Sequence, residues 1–187
     1  MICIISGPSC AGKSTFLKSS TLKLLTETVG SSPCLFPSDI MSYSNNISRD
    51  NYYLHYNILR TASISDHSRI NSVNSDPYAY STDKAWDIVR KIPVRKSAVV
   101  LVTARSELIQ RMSSRDSLEM MLRKLSSYRY PKSYWLSILA QLDLNVLYTS
   151  WCNELKNHKI PFTLIDSSSP KYEIVSEARL NAINLNQ

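Results

Sequence analysis

Ile2-Cys-Ile-Ile-Ser-Gly7-Pro-Ser-Cys-Ala-Gly12-Lys13-Ser14-Thr15 is the stretch from which the rest of the chain is read. Its opening residues form a short apolar, β-branched run without polar alternation, which suits a strand buried on both faces of a parallel sheet. The next eight residues, GPSCAGKS, satisfy G-x-x-x-x-G-K-S/T at every defined position. Phe16, Leu17, Leu22, Leu24 and Leu25 then recur with Ser, Thr and Lys between them, and Gly30-Ser-Ser-Pro33 ends the pattern. That spacing predicts a helix opening at the loop. Strand, glycine loop and helix in this order build a phosphate cradle, because loop amides and a helix N-terminus can aim at one anion. Glycine lets the backbone bend and approach closely. The chain has only three glycines, and two of them lie here.

The cradle defines the candidate nucleotide-binding residues as Gly7, Pro8, Ser9, Cys10, Ala11, Gly12, Lys13, Ser14 and Thr15. In such a loop the lysine, here Lys13, reaches the β- and γ-phosphates, and the hydroxyl of Ser14 ligates Mg²⁺. ATP and Mg²⁺ are accordingly the expected ligands.

Outward from the loop, strands and helices alternate. Cys34-Leu-Phe reads as a second short strand, and Asn51 to Leu59 (NYYLHYNIL) as a tyrosine-rich third. Residues 61–80 are polar and aperiodic and read as a long connection, a kind that is often functional. Thr82 to Ile92 fits a helix stopped by Pro93, and Ala98 to Val102 (AVVLV) a second buried strand. Arg105 to Leu125 is helical in composition. A long helix is expected from Lys132 to about Asn157, with Leu136, Ala140, Leu147, Trp151 and Leu155 on one face and Leu139, Leu142 and Val146 on the next. Pro161-Phe-Thr-Leu-Ile gives a last strand, and a helix over about 172–183 closes the chain. The fold class predicted is α/β: a three-layer α/β/α sandwich with a mainly parallel five-stranded sheet, residues 1–187 forming one domain with a helical lid and acceptor region at about 105–135.

With these motifs the sequence resembles the P-loop NTPase superfamily, and most closely its small kinase branch of adenylate, shikimate, gluconate and polynucleotide kinases. Val99-Val-Leu-Val followed by Leu108, Arg111 and Arg115 matches the strand–x–x–L–x–x–R–x–x–x–R form of that branch. The resemblance implies that Arg111 and Arg115, four apart and so on one helix face, are lid arginines. Planar guanidinium groups suit the charge spread over a transferring phosphoryl group. The branch also places an aspartate after its second strand, where Asp39 stands as a candidate general base on the acceptor; the alternative is a capping role for Ser38 or Asp39. The acidic residue that usually ends another strand is missing, with His55 or Asn57 in its place. The loop Asp166 to Pro170 falls where the family sets the nucleotide base. Arg105 and Arg123 are weaker phosphate candidates.

The wider composition narrows the classes. No apolar run is long enough to span a membrane, and no secretory leader is read at the N-terminus. Cys3, Cys10, Cys34 and Cys152 lack metal spacing and read as reduced hydrophobes of a cytoplasmic protein. Net charge is +7, which favours an anionic partner. The leading expectation is a small-molecule kinase passing the γ-phosphate of ATP-Mg to a hydroxyl or phosphate acceptor. The Tyr128-Arg-Tyr-Pro-Lys-Ser-Tyr-Trp135 segment and the charge support a nucleic-acid-end kinase or nucleic-acid-dependent ATPase as an alternative. The missing acidic residue supports a third, a nucleotide-binding regulatory module with little turnover.

Overall fold

The computed structural model describes residues 1–19, 21, 34–36, 39, 52–59, 80, 84–114, 132–168, 171–182 and 184–187. In chain order these form β1 (Ile2–Gly7), α1 (Lys13–Phe16), β2 (Cys34–Leu35), β3 (Tyr52–Asn57), α2 (Lys84–Lys91), β4 (Lys96–Val102), α3 (Arg105–Ser113), α4 (Lys132–Gln141), α5 (Leu144–Asn157), β5 (Phe162–Asp166), β6 (Glu173–Val175) and α6 (Glu177–Ala182).

The sheet runs β2-β3-β1-β4-β5-β6, with the first five strands parallel and β6 antiparallel to β5. All six residues of β1 are buried, so helices cover both faces of the sheet and the architecture is the expected three-layer α/β sandwich. Register brings the ends of the central strands level: Gly7 lies opposite Asn57, and Val102 opposite Asp166.

One face of this sheet is held by aromatic residues. Trp151 of α5 stacks on Tyr56 of β3 at 4.9 Å and meets Trp86 of α2 edge-on at 4.8 Å. Its indole N–H donates to the buried Ser6 hydroxyl of β1 at 2.9 Å, and Ser6 donates to Val99 O at 3.1 Å. The polar tips of the cluster are thereby satisfied inside the core, as burial of such groups requires.

Three expectations are corrected. The sheet has a sixth strand, because Glu173-Ile-Val175, expected inside the last helix, pairs with the otherwise open edge of β5. Only Glu177–Ala182 is helical there, and the Ser176 hydroxyl accepts from Arg179 N at 3.1 Å in its first turn. The long helix from Lys132 divides at Leu142-Asp143. Asp143 is extended and its carboxylate accepts from Val146 N, starting α5 afresh. The restart turns Val146 outward, 43% exposed, and Ala140 is exposed as well.

Candidate functional site

The strand order places the site before any side chain is considered. From β1 the chain moves to β2 on one side, and from β4 it moves to β5 on the other. Adjacent strands whose connections diverge leave a crevice beyond their C-terminal ends. The loop after β1 and the loop and helix after β4 meet in that crevice.

In the first loop Gly7 admits no side chain: a Cβ there would lie 3.0 Å from both the Ala11 Cβ and the Leu101 carbonyl. Cys10 and Gly12 take positive φ, 68° and 86°, which turns the chain tightly into α1. Pro8, Cys10 and Ala11 are buried, Ser9 is half-buried, and Ser14 and Thr15 are exposed in the first turn of α1. Lys13 is 4% exposed, and its ammonium donates to the carbonyls of Gly7 at 2.8 Å and Pro8 at 2.6 Å. Neither acceptor is charged, so these bonds position the cation without cancelling its charge. The first helical bond runs from Phe16 N to Gly12 O, so the amides of the turn before it are not consumed within the helix.

The second and third parts of the site come from α3 and the loop after β5. Arg111 is half-buried; its Nε donates to Glu107 Oε1 at 2.7 Å, its Nη1 to Cys10 O at 3.5 Å, and its Nη2 to Ser167 O. A Cβ on Gly12 would stand 3.4 Å from Arg111 Nη1. Arg111 thus lies beside the glycine loop, bonded to its Cys10 carbonyl. Ser167 donates from Oγ to Ala11 O at 2.9 Å and pairs with Thr103 Oγ1 at 2.6 Å. Thr103 N donates to the Tyr148 hydroxyl at 2.9 Å, which donates to Leu101 O at 3.1 Å. Burial pushes the Tyr148 hydroxyl above its ordinary range, so it stays protonated and keeps that donor role.

Asn57, at the end of β3, donates from Nδ2 to Ser9 Oγ at 3.1 Å and so faces the cradle, as its sequence position suggested. His55 packs against Phe36 instead, ring centroids 5.0 Å apart. Asp39 accepts from Phe36 N at 2.7 Å, and its own N–H donates to Phe36 O at 2.9 Å, so its carboxylate closes a local turn. Arg105 ties the end of the chain to the body: it donates to the Asn186 carbonyl at 3.0 Å, to Asn186 Oδ1 at 3.0 Å and to Leu142 O. Arg115, Arg123, residues 61–79 and all of the proposed lid beyond 114, up to 131, lie outside the described residues. Lys132 to Trp135 open α4. Among the described residues no group of three or more His, Cys, Asp or Glu could hold a metal ion, and no helix is long and apolar enough to cross a membrane.

Thr103, Ser167 and Tyr148 were not singled out from sequence. Ser167 is one of three consecutive serines, and nothing local separates it from its neighbours. Tyr148 lies in a helix whose apolar face already accounts for a buried aromatic ring.

Sheet order, glycine loop and crevice together define a three-layer α/β fold with a mainly parallel sheet and a tight glycine loop at its topological switch point. No protein-family model matches the chain, and no curated protein matches it. Among solved structures, deoxyadenosine kinase from M. mycoides with bound dATP aligns over 97% of this chain and 96% of its own, with 13% identity and a TM-score of 0.49. A second structure of that kinase, with products dCMP and a flexible dCDP bound, covers 90% of this chain and 91% of its own, with 13% identity and a TM-score of 0.39.

Proposed function

We propose that this chain is an ATP-dependent phosphotransferase that binds ATP at residues 7–15 and transfers the γ-phosphate to a hydroxyl or phosphate of a small molecule. The observation that carries the reading is the Lys13 ammonium, buried against the Gly7 and Pro8 carbonyls in a loop that satisfies the phosphate-cradle pattern. Phosphoryl transfer asks little covalent chemistry of a protein; it asks for positioning and for positive charge around the equatorial oxygens. Lys13 supplies charge at the loop itself, and Arg111, held behind it on the Cys10 and Ser167 carbonyls, adds to the positive field. Arg115, four residues after Arg111 in the sequence, is proposed as a second guanidinium.

The donor set fits a magnesium ion carried in with the nucleotide. Ser14 offers an exposed hydroxyl at the start of α1, and a phosphate-bound Mg²⁺ needs only one or two protein ligands. When bound, the ion neutralises charge on the β- and γ-phosphates. Asp39 is assigned to the acceptor hydroxyl, with its bond to Phe36 N fixing the carboxylate at the end of β2.

A second reading, a nucleotide-binding module with little turnover, is favoured by one observation: the residue that ends β3 beside the cradle is Asn57 rather than an acid. One experiment separates the two. The chain is incubated with γ-labelled ATP, Mg²⁺, a pool of nucleosides, nucleotides and sugars, and DNA and RNA oligonucleotides with free 5′-hydroxyl ends. Label appearing on one acceptor supports the kinase. ATP bound tightly with no labelled product supports the module. Label on nucleic-acid ends alone would point to the polynucleotide alternative.

A further inference from the structure

The cradle is gripped from behind. Several of its carbonyls are engaged from elsewhere in the chain: Gly7 O accepts from Ile58 N at 3.2 Å as well as from Lys13, Cys10 O from Arg111, Ala11 O from Ser167 Oγ, and Gly12 O from Phe16 N. A trans peptide points its C=O and N–H in opposite directions. A donor that captures the carbonyl on one side therefore aims the amide on the other. The peptide joining Cys10 to Ala11 displays this directly: its carbonyl meets Arg111, while its N–H turns inward to Pro8 O at 3.3 Å. The next peptide has its carbonyl held by Ser167, which points the Gly12 N–H away from Ser167.

We infer that Ser167, held in place by Thr103 and Arg111, is a positioning residue that aims the Gly12 amide at the bound phosphates; this rests on the phosphate-site reading above. The distances favour one set of hydrogen-bond directions. Tyr148 spends its single proton on Leu101 O and accepts from Thr103 N. Ser167 N already donates to Val102 O at 2.9 Å, so Ala11 O at 2.9 Å is a better acceptor for Oγ than Val102 O at 3.3 Å. With its proton on Ala11 O, Ser167 Oγ accepts from the Thr103 hydroxyl. Ser167 and Thr103 are 3% and 0% exposed, so water does not substitute for either partner. The Ser167 carbonyl receives Arg111, whose other arm reaches Cys10 O, so both tethers act on neighbouring peptides of one loop. The clamp thus couples the end of β5 to the cradle across 156 residues of sequence.

The chain's three glycines make the test direct, because a sample labelled with ¹⁵N-glycine gives three backbone amide signals. Inorganic tripolyphosphate with Mg²⁺ is the probe, applied to the full chain at a temperature where each variant is folded, with urea midpoints as the control. In the native protein the Gly12 signal is expected to move strongly downfield on titration. Ser167→Ala and Thr103→Val should each blunt that movement and weaken tripolyphosphate binding, Ser167→Ala by about tenfold, the size of one hydrogen bond in a buried site. Thr103→Ser, which keeps the hydroxyl, should restore both; a merely structural role would move the urea midpoint and leave the Gly12 shift alone. If Ser167→Ala does not fold, the Thr103→Val and Thr103→Ser pair decides. Native Gly12 shifts and affinity in Ser167→Ala and Thr103→Val, alongside weak binding by Lys13→Ala, would overturn the clamp and leave the phosphate site standing. Unchanged binding by Lys13→Ala as well would overturn the site and the clamp with it.

Discussion

Asn57 and Ser9, 48 residues apart, are joined by a 3.1 Å hydrogen bond from the Asn57 amide to the Ser9 hydroxyl, while Asn57 Oδ1 accepts from Leu59 N. The end of β3 is thus bonded to the glycine loop through a neutral side chain. An acid at this point would bring a negative charge close to any phosphate held in that loop.

The first prediction concerns that choice. Asn57→Asp should weaken binding of metal-free ATP by about fivefold, the effect of one added like charge of roughly 1 kcal/mol at a solvated site. Mg²⁺ should reverse the loss. Calorimetry with and without chelator reads both quantities, and equal metal-free affinities in the two proteins would show that Asn57 does not face the phosphates.

Gly7 sets the second. Its missing side chain leaves room for Ala11 and for the Leu101 backbone, each 3.0 Å from where a Cβ would stand. Backbone cannot swing aside as a flexible side chain does. Gly7→Ala should therefore lower unfolding free energy by about 2–3 kcal/mol, within the range of overpacking substitutions. Urea denaturation measures it; a native midpoint would mean that the loop is not packed against β4 as described.

Asp39 gives the third. Asp39→Asn keeps an oxygen for the Phe36 N–H but removes the carboxylate. If Asp39 takes a proton from the acceptor, kcat should fall by about a hundredfold or more while ATP affinity changes little, the usual scale for general-base catalysis. Unchanged kcat in Asp39→Asn, with Asp39→Ala costing only stability, would leave it the turn-closing role alone.

The fourth is a pH dependence. The Asn186 amide and the Val146 N–H hold the Asp143 carboxyl below the usual carboxylate range. A carboxyl whose folded pKa lies below its unfolded value contributes stability that is complete above the unfolded pKa and is lost as pH falls through the folded one. Asp143→Asn retains a capping oxygen and does not titrate. The stability gap between native protein and variant should be widest above about pH 5 and narrow steadily as pH falls below the unfolded value of about 4. A gap that does not change with pH would show that the charge at this cap is not linked to folding.

The parts of this molecule that could be read from sequence are those where a local pattern carries its own physics. A continuous apolar run such as Ala98-Val-Val-Leu-Val102 has few alternatives to a buried strand, and the two glycines of GPSCAGKS mark the tight turn between β1 and α1. β6 was hidden because Glu173-Ile-Val175 is stabilised by the edge of β5, not by its own residues. The break before α5 was hidden because Asp143 sits between leucines that continue a helical period across it. Arg111 and Arg105 look alike in sequence, yet one reaches the cradle and the other ties down Asn186. Which arginine faces the site depends on where the C-terminal segment folds back, a long-range outcome that no spacing encodes. Ser167 could not be picked from its serine run for the same reason.

The central claim is that Lys13 and its loop hold a polyphosphate, and a calorimetric titration of MgATP into the native chain and into Lys13→Ala tests it most directly. The variant is expected to bind at least about tenfold more weakly at a temperature where both proteins are folded, as loss of a charge-assisted hydrogen bond to phosphate implies. Equal MgATP affinity in the two folded proteins would contradict it.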